Sequence, residues 1–143
     1  MKTILWVEDE KDQYEAFAYY LEKNYAIDRA IDYEDAVSKF NANKYDLIIV
    51  DIIIPSGREA ASIEELKRIK DIYFGVELIK KIRAMDQETK ILVVTVVKEH
   101  FVQLKIHAID PDIQIINKYD SGPETVRDAV SHLNLNDMKP KHI

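Results

Sequence analysis

Short apolar runs alternate with stretches in which apolar residues recur at helical spacing. The run Leu47–Val50 is too short for a helix and too apolar for a strand with one wet face. It reads as a strand buried on both faces, as in a parallel sheet. Residues 91–95 read the same way, and 3–7, 26–30 and 113–116 supply three more strands. Between them, Tyr14, Phe17, Ala18 and Leu21 form one helical stripe, with Asp12 as its expected N-cap and Glu15 as the capping-box partner. Asp32 is placed to cap a second helix carrying Ala36, Val37 and Phe40. A third carries Val76, Leu78, Ile79 and Ile82. A fourth, over 99–108, offers Val102, Leu104 and Ile106 for packing. The fifth carries Val126, Ala129, Val130 and Leu133 after a start at Ser121 to Glu124, which pairs a capping box with an early Pro123.

Five β-α units with buried strands predict a parallel sheet covered by helices on both faces. Right-handed crossovers restrict the topology. The expected architecture is α/β, a flavodoxin-like doubly wound (βα)5 fold with sheet order 2-1-3-4-5, strands one and three meeting at the switch point. The remaining segments, 56–72 and the polar tail 134–143, lie outside this alternation.

The polar residues at strand ends suggest the chemistry. Glu8 and Asp9 end strand one, Asp51 strand three and Thr95 strand four, and Lys118 follows strand five. All fall on the carboxyl edge, where open α/β sheets bind ligands. Asp51 is a candidate metal ligand or nucleophile; read alone, it also fits a turn before Pro55. Three carboxylates gathered there repel one another, and a hard cation such as Mg²⁺, which takes one or two carboxylates, a carbonyl and waters, relieves that. A lysine and a hydroxyl beside them suit phosphoryl transfer, in which oxygens are positioned and neutralised. An aspartate nucleophile then forms an acyl phosphate.

With these residues in this order, the chain resembles the receiver (REC) domain of bacterial two-component response regulators over nearly its whole length. The resemblance rests on the Glu8-Asp9 pair, on Asp51 with Pro55 four residues on, and on Thr95 and Lys118. It implies that Asp51 accepts a phosphoryl group from a sensor histidine kinase or phosphotransfer protein. Mg²⁺ would be held by Asp9, Asp51 and the backbone carbonyl of Ile53, with Glu8 acting through water. Lys118 would pair with the phosphoryl group or Asp51, and Thr95 would swing to a phosphoryl oxygen and move helix four. The chain would be a signalling domain rather than an enzyme, at most a slow autophosphatase. A downstream protein, an output domain or a second copy would dock on helix four, strand five and helix five, over about residues 99–131.

Departures from the family pattern sharpen the expectation. Val96 stands where a small residue usually leaves the aspartate accessible, Ile115 where a switch aromatic usually stands, and Tyr119 where a proline usually follows the lysine. Ile53 and Val97, two beyond the aspartate and the threonine, are apolar and cannot orient an attacking water, so a long-lived acyl phosphate is expected. Gly75 follows Pro55 by twenty positions where the family has four, so residues 56–72 are expected as an insertion. Its Ser62 and Glu65 form a capping box, and Ile63, Leu66 and Tyr73 continue at helical spacing. It is either a decorative, solvated helix or a lid or docking surface. Residues 1–133 would thus be one receiver domain.

Composition narrows the alternatives. The 143 residues suit one domain with a proper core. A net charge of −6 argues against direct nucleic-acid binding. Without cysteine there are no disulfides and no thiolate chemistry. The start turns acidic at Glu8, too early for a signal sequence, and no apolar run spans a membrane, so a cytoplasmic location is expected. The four histidines lack ligand spacing, and Trp6 reads as core. An aspartate-nucleophile phosphatase usually needs a second carboxylate where Ile53 stands. A flavodoxin's flavin phosphate would be repelled by the acids after strand one. The competing reading is a pseudo-receiver, an interaction module of the same fold that works without phosphorylation.

Overall fold

The computed structural model describes residues 1–57, 73–133 and 135. Five parallel strands form one sheet: β1 (Lys2–Val7), β2 (Tyr25–Ala30), β3 (Leu47–Val50), β4 (Lys90–Thr95) and β5 (Gln114–Asn117). Their order is β2-β1-β3-β4-β5, the expected flavodoxin-like order. The helices are α1 (Lys11–Ala18), α2 (Tyr33–Ala42), α3 (Phe74–Met85), α4 (His100–Ile109) and α5 (Pro123–His132).

The period-two alternation of each strand divides the core. Leu5, Val7, Ile48, Val50, Ile91 and Val93 face a cluster with Leu78, Ile79, Ile82, Val102 and Ile106, so α2, α3 and α4 cover that face. Ile4, Trp6, Leu47, Ile49, Leu92 and Val94 face the other way, onto Ala18, Leu21, Val126 and Val130, under α1 and α5. All four residues of β3 are buried, which explains their continuous apolar run. At about 1.5–3 kcal/mol per fully buried aliphatic side chain, this central strand is a main source of stability.

Several local expectations are corrected. The α1 N-cap is Glu10, without a side-chain bond, rather than Asp12. The Glu10 amide folds back to Glu8 Oε2 at 3.3 Å and its carbonyl accepts from the Tyr14 amide at 2.9 Å, so the helix starts early. Asp12 then sits in the first turn, where the helix dipole favours a negative charge. Leu21 lies beyond α1 in the following turn, yet is buried as the stripe requires. Gly122, not Ser121, is the α5 N-cap and makes no side-chain bond; Pro123 at the helix start puts Ser121 one residue too early. Asp32 caps α2 as expected, accepting from the Asp35 amide at 2.7 Å. Leu104 is 57% exposed: Val102 and Ile106, four apart, share the buried face of α4 and leave residue 104 on the far side. Leu135, expected in a polar tail, is buried in the α1–α5 cluster. Ser56 and Gly57 are irregular, and the helix expected over the insertion falls at 58–72, outside the described residues.

Gly75, in the first turn of α3, is fixed by space. A Cβ there would lie 2.3 Å from the Asp51 carbonyl oxygen and 2.4 Å from Ile52 Cα. The Gly75 amide donates to the Ile52 carbonyl at 3.0 Å. The start of α3 thus lies directly against the backbone that follows β3.

Candidate functional site

Sheet order brings the ends of β1, β3, β4 and β5 together. The register aligns Val7 with Val50, Val50 with Val93, and Thr95 with Asn117. Glu8, Asp51, Thr95 and Lys118 therefore emerge side by side, one from each strand end, although up to 110 residues separate them in sequence.

Asp51 is 6% exposed and takes three donors. Its Oδ1 accepts from the Thr95 hydroxyl at 2.8 Å and from the Ile53 amide at 3.2 Å. Its Oδ2 accepts from Lys118 Nζ at 2.9 Å. The Thr95 hydroxyl in turn accepts from the Val97 amide at 3.3 Å, which fixes its rotor. Lys118 Nζ also donates to Glu8 Oε1 and, at 2.8 Å, to Gln13 Oε1. Three acceptors saturate an ammonium. The Lys118 side chain is 9% exposed, and its amide donates to the Thr95 carbonyl at 2.9 Å, so β4 holds the residue from its backbone as well.

This cluster places two buried carboxylates against one ammonium. Burial pushes the Glu8 carboxyl up to about 7, with the Asp51 charge adding to the effect and the bond to Lys118 opposing it. Burial alone would lower the Lys118 ammonium, but the Asp51 charge and the Glu8 hydrogen bond outweigh it and raise the group. The pocket thus carries an excess of negative charge that a bound cation would relieve. Asp9, next after Glu8 in the chain, is exposed. Among the described residues no three acidic, histidine or cysteine side chains are placed to hold a metal ion. The ligands that the resemblance implies, Asp51, Asp9 and the Ile53 carbonyl, offer only oxygen, the donor type of Mg²⁺, which takes one or two carboxylates and keeps several waters.

Two residues join the site that the sequence did not single out. Gln13, on α1, reaches Lys118 across 105 residues of chain. Arg29, on β2, donates to the carbonyls of Glu8 and Asp9. Neither belongs to a local motif; only the pairing of β1 with β2 and the tilt of α1 bring them in. A groove of about 910 Å³ lies at the opposite edge of the sheet, lined by Thr3, Tyr45, Asp46, Lys90 and Leu135 among others, and takes in none of the site residues.

An aspartate under a threonine hydroxyl and a lysine, at the switch point of a doubly wound sheet, defines the receiver class of α/β domain. The family model described as the response regulator receiver domain matches residues 4–121, and the chain belongs to that family. Solved structures agree. The response regulator receiver domain protein (CheY-like) from Methanospirillum hungatei is 19% identical, with a TM-score of 0.75, covering 96% of this chain and 95% of that one. A two-component response regulator from Clostridium difficile is 26% identical, TM-score 0.73, over 98% of this chain and 100% of that one. The response regulator TrrA from Thermotoga maritima, solved in complex with Mg²⁺ and BeF, is 28% identical, TM-score 0.69, over 93% and 99%. No curated protein matches the chain.

Proposed function

We propose that this receiver domain accepts a phosphoryl group on Asp51 from a histidine kinase or phosphotransfer protein and so switches a protein-interaction surface. The observation that carries the reading is the pair of donors on Asp51, the Thr95 hydroxyl on one oxygen and Lys118 on the other. An Asp51 oxygen forms the new P–O bond as the donor's P–N bond breaks, and the imidazole nitrogen takes up a proton as it leaves. Lys118 holds positive charge where the phosphoryl oxygens arrive, and the Thr95 hydroxyl would give up its bond to Asp51 to donate to one of them. Asp9, Asp51 and the Ile53 carbonyl would hold Mg²⁺, with Glu8 linked through water. When bound, the ion neutralises charge on the transferred group.

Histidine kinases, phosphotransfer proteins and output domains are the partners of this family in general. A homodimer through α4, β5 and α5 extends the same reading. Among the described residues no helix is long and apolar enough to cross a membrane, and we take the cytoplasm as the place of action.

One observation favours the pseudo-receiver alternative. Val96, half-buried next to Thr95, replaces the small residue that would leave Asp51 open. Intact mass after incubation with acetyl phosphate and Mg²⁺ separates the readings. One added phosphoryl group on the wild type, absent from Asp51→Ala, is expected. No adduct, together with no response of Trp6 fluorescence to beryllofluoride and Mg²⁺, would establish the pseudo-receiver.

A further inference from the structure

The loop carrying Glu8 and Asp9 is held from outside the pocket. Arg29 Nε donates to the Glu8 carbonyl at 3.0 Å, and an Arg29 Nη donates to the Asp9 carbonyl at 2.9 Å. The guanidinium carbon lies 5.3 Å from the centroid of the Tyr14 ring. That ring meets Trp6 edge-on at 5.9 Å. The Glu8 amide donates to the Ala30 carbonyl at 2.9 Å. Lys39 Nζ anchors the Arg29 carbonyl at 2.6 Å. The end of β2 thus grips the peptide groups of both acidic residues.

Both Arg29 bonds go to carbonyls, not carboxylates, so the clamp orders the loop without occupying a carboxylate oxygen. Two carbonyls from successive residues are met by two N–H groups of one rigid planar fork, and the ring of Tyr14 backs that plane. A lysine would bring a compact ammonium without the planar fork, and could neither match both carbonyls in one plane nor stack that plane on Tyr14. The loop needs ordering, because Glu8, Asp9, Glu10 and Asp12 repel one another within five residues.

We infer that Arg29 is a positioning residue for the divalent-cation site: by fixing the Glu8 and Asp9 peptide groups it limits where the Asp9 carboxylate can reach. This rests on the Mg²⁺-dependent reading above. The charge of Arg29 opposes a dication while its fork favours one, and two variants separate these effects. Arg29→Lys keeps the charge and loses the fork. Arg29→Gln loses both.

The test is a Mg²⁺ titration of the full chain, followed by Trp6 fluorescence and, separately, by the rate of acetyl phosphate labelling at each Mg²⁺ concentration. Outer-shell partners of metal ligands are typically worth 10–100-fold in affinity, so Arg29→Lys should raise the half-saturating Mg²⁺ about tenfold in both readouts. The labelling rate at saturating Mg²⁺ should stay within about twofold of wild type, as for a loss of binding alone. An unchanged half-saturation with a lower Tm would make the clamp purely structural and overturn the inference. So would a fall in the saturated rate alone, or tighter Mg²⁺ binding by Arg29→Gln. A wild type that responds to Mg²⁺ in neither readout would overturn the cation reading itself, and the role of Arg29 with it.

Discussion

The Thr95 hydroxyl donates a 2.8 Å hydrogen bond to Asp51 Oδ1, joining the ends of two adjacent strands inside a pocket that hides both residues. The bond occupies one oxygen of the proposed acceptor and commits the threonine hydrogen before any phosphoryl group arrives. Thr95→Ala leaves a buried oxygen one donor short and should destabilise the domain by about 1–3 kcal/mol. Thr95→Ser keeps the donor and should recover most of that. Urea unfolding of the two variants beside wild type checks it; equal losses would mean that methyl packing, not the hydroxyl, matters.

Gly75 answers to the backbone beneath it. Gly75→Ala forces a Cβ to within 2.3 Å of the Asp51 carbonyl oxygen unless the start of α3 moves away. Overpacking of this kind costs about 1–3 kcal/mol, and contact with backbone rather than a flexible side chain puts this case at the upper end. The same shift displaces the peptide after Asp51, so labelling by acetyl phosphate should slow as well. Thermal unfolding and labelling rates report the two effects separately.

The lifetime of the acyl phosphate is a third test. Ile53 is 49% exposed next to Asp51 and Val97 is buried two residues past Thr95, so neither side chain offers water a polar partner. Once formed, the phosphorylated species should decay slowly. Ile53→Asn supplies a group that can orient water and should shorten the half-life by about tenfold or more, within the range that positioned acid–base groups contribute. Intact mass followed over time gives both numbers, and equal decay in the two proteins would refute the role assigned to Ile53.

Away from the site, Asp86 ties the end of α3 to the turn that precedes β4. The Thr89 hydroxyl hydrogen bond holds its carboxyl below the usual range, helped by the Glu88 and Thr89 amides. A carboxyl with a lowered folded pKa stabilises the fold above its unfolded pKa, and the contribution is lost as pH falls through the folded value. Thr89→Val should therefore lower Tm near neutral pH. The gap to wild type should close on acidification below the ordinary aspartate value of 3.8. A gap constant across pH would point to packing at Thr89 instead.

The sheet order followed from the pattern because its cause is local. Runs such as Leu47–Val50, buried on both faces, favour parallel neighbours under helices, and the alternation with helices does the rest. Glu8, Asp51, Thr95 and Lys118 were legible for the same reason, since each ends or follows a strand and topology gathers strand ends at one edge. Helix caps were less legible. Asp12 and Ser121 have the right chemistry, but the Glu10 amide's bond to Glu8 and a proline at 123 decide where the turns begin.

By itself, then, the chain determined its periodicity, its parallel sheet and the set of strand-end residues, all consequences of burial over a few neighbouring positions. Tertiary structure alone decided how those residues pair. Glu8 bonds Lys118 while Asp9 stays exposed, Gln13 completes the lysine's contacts, and Arg29 grips the acidic loop from β2. No local rule contains these contacts, because they depend on strand register, helix tilt and the reach of long side chains across the sheet edge.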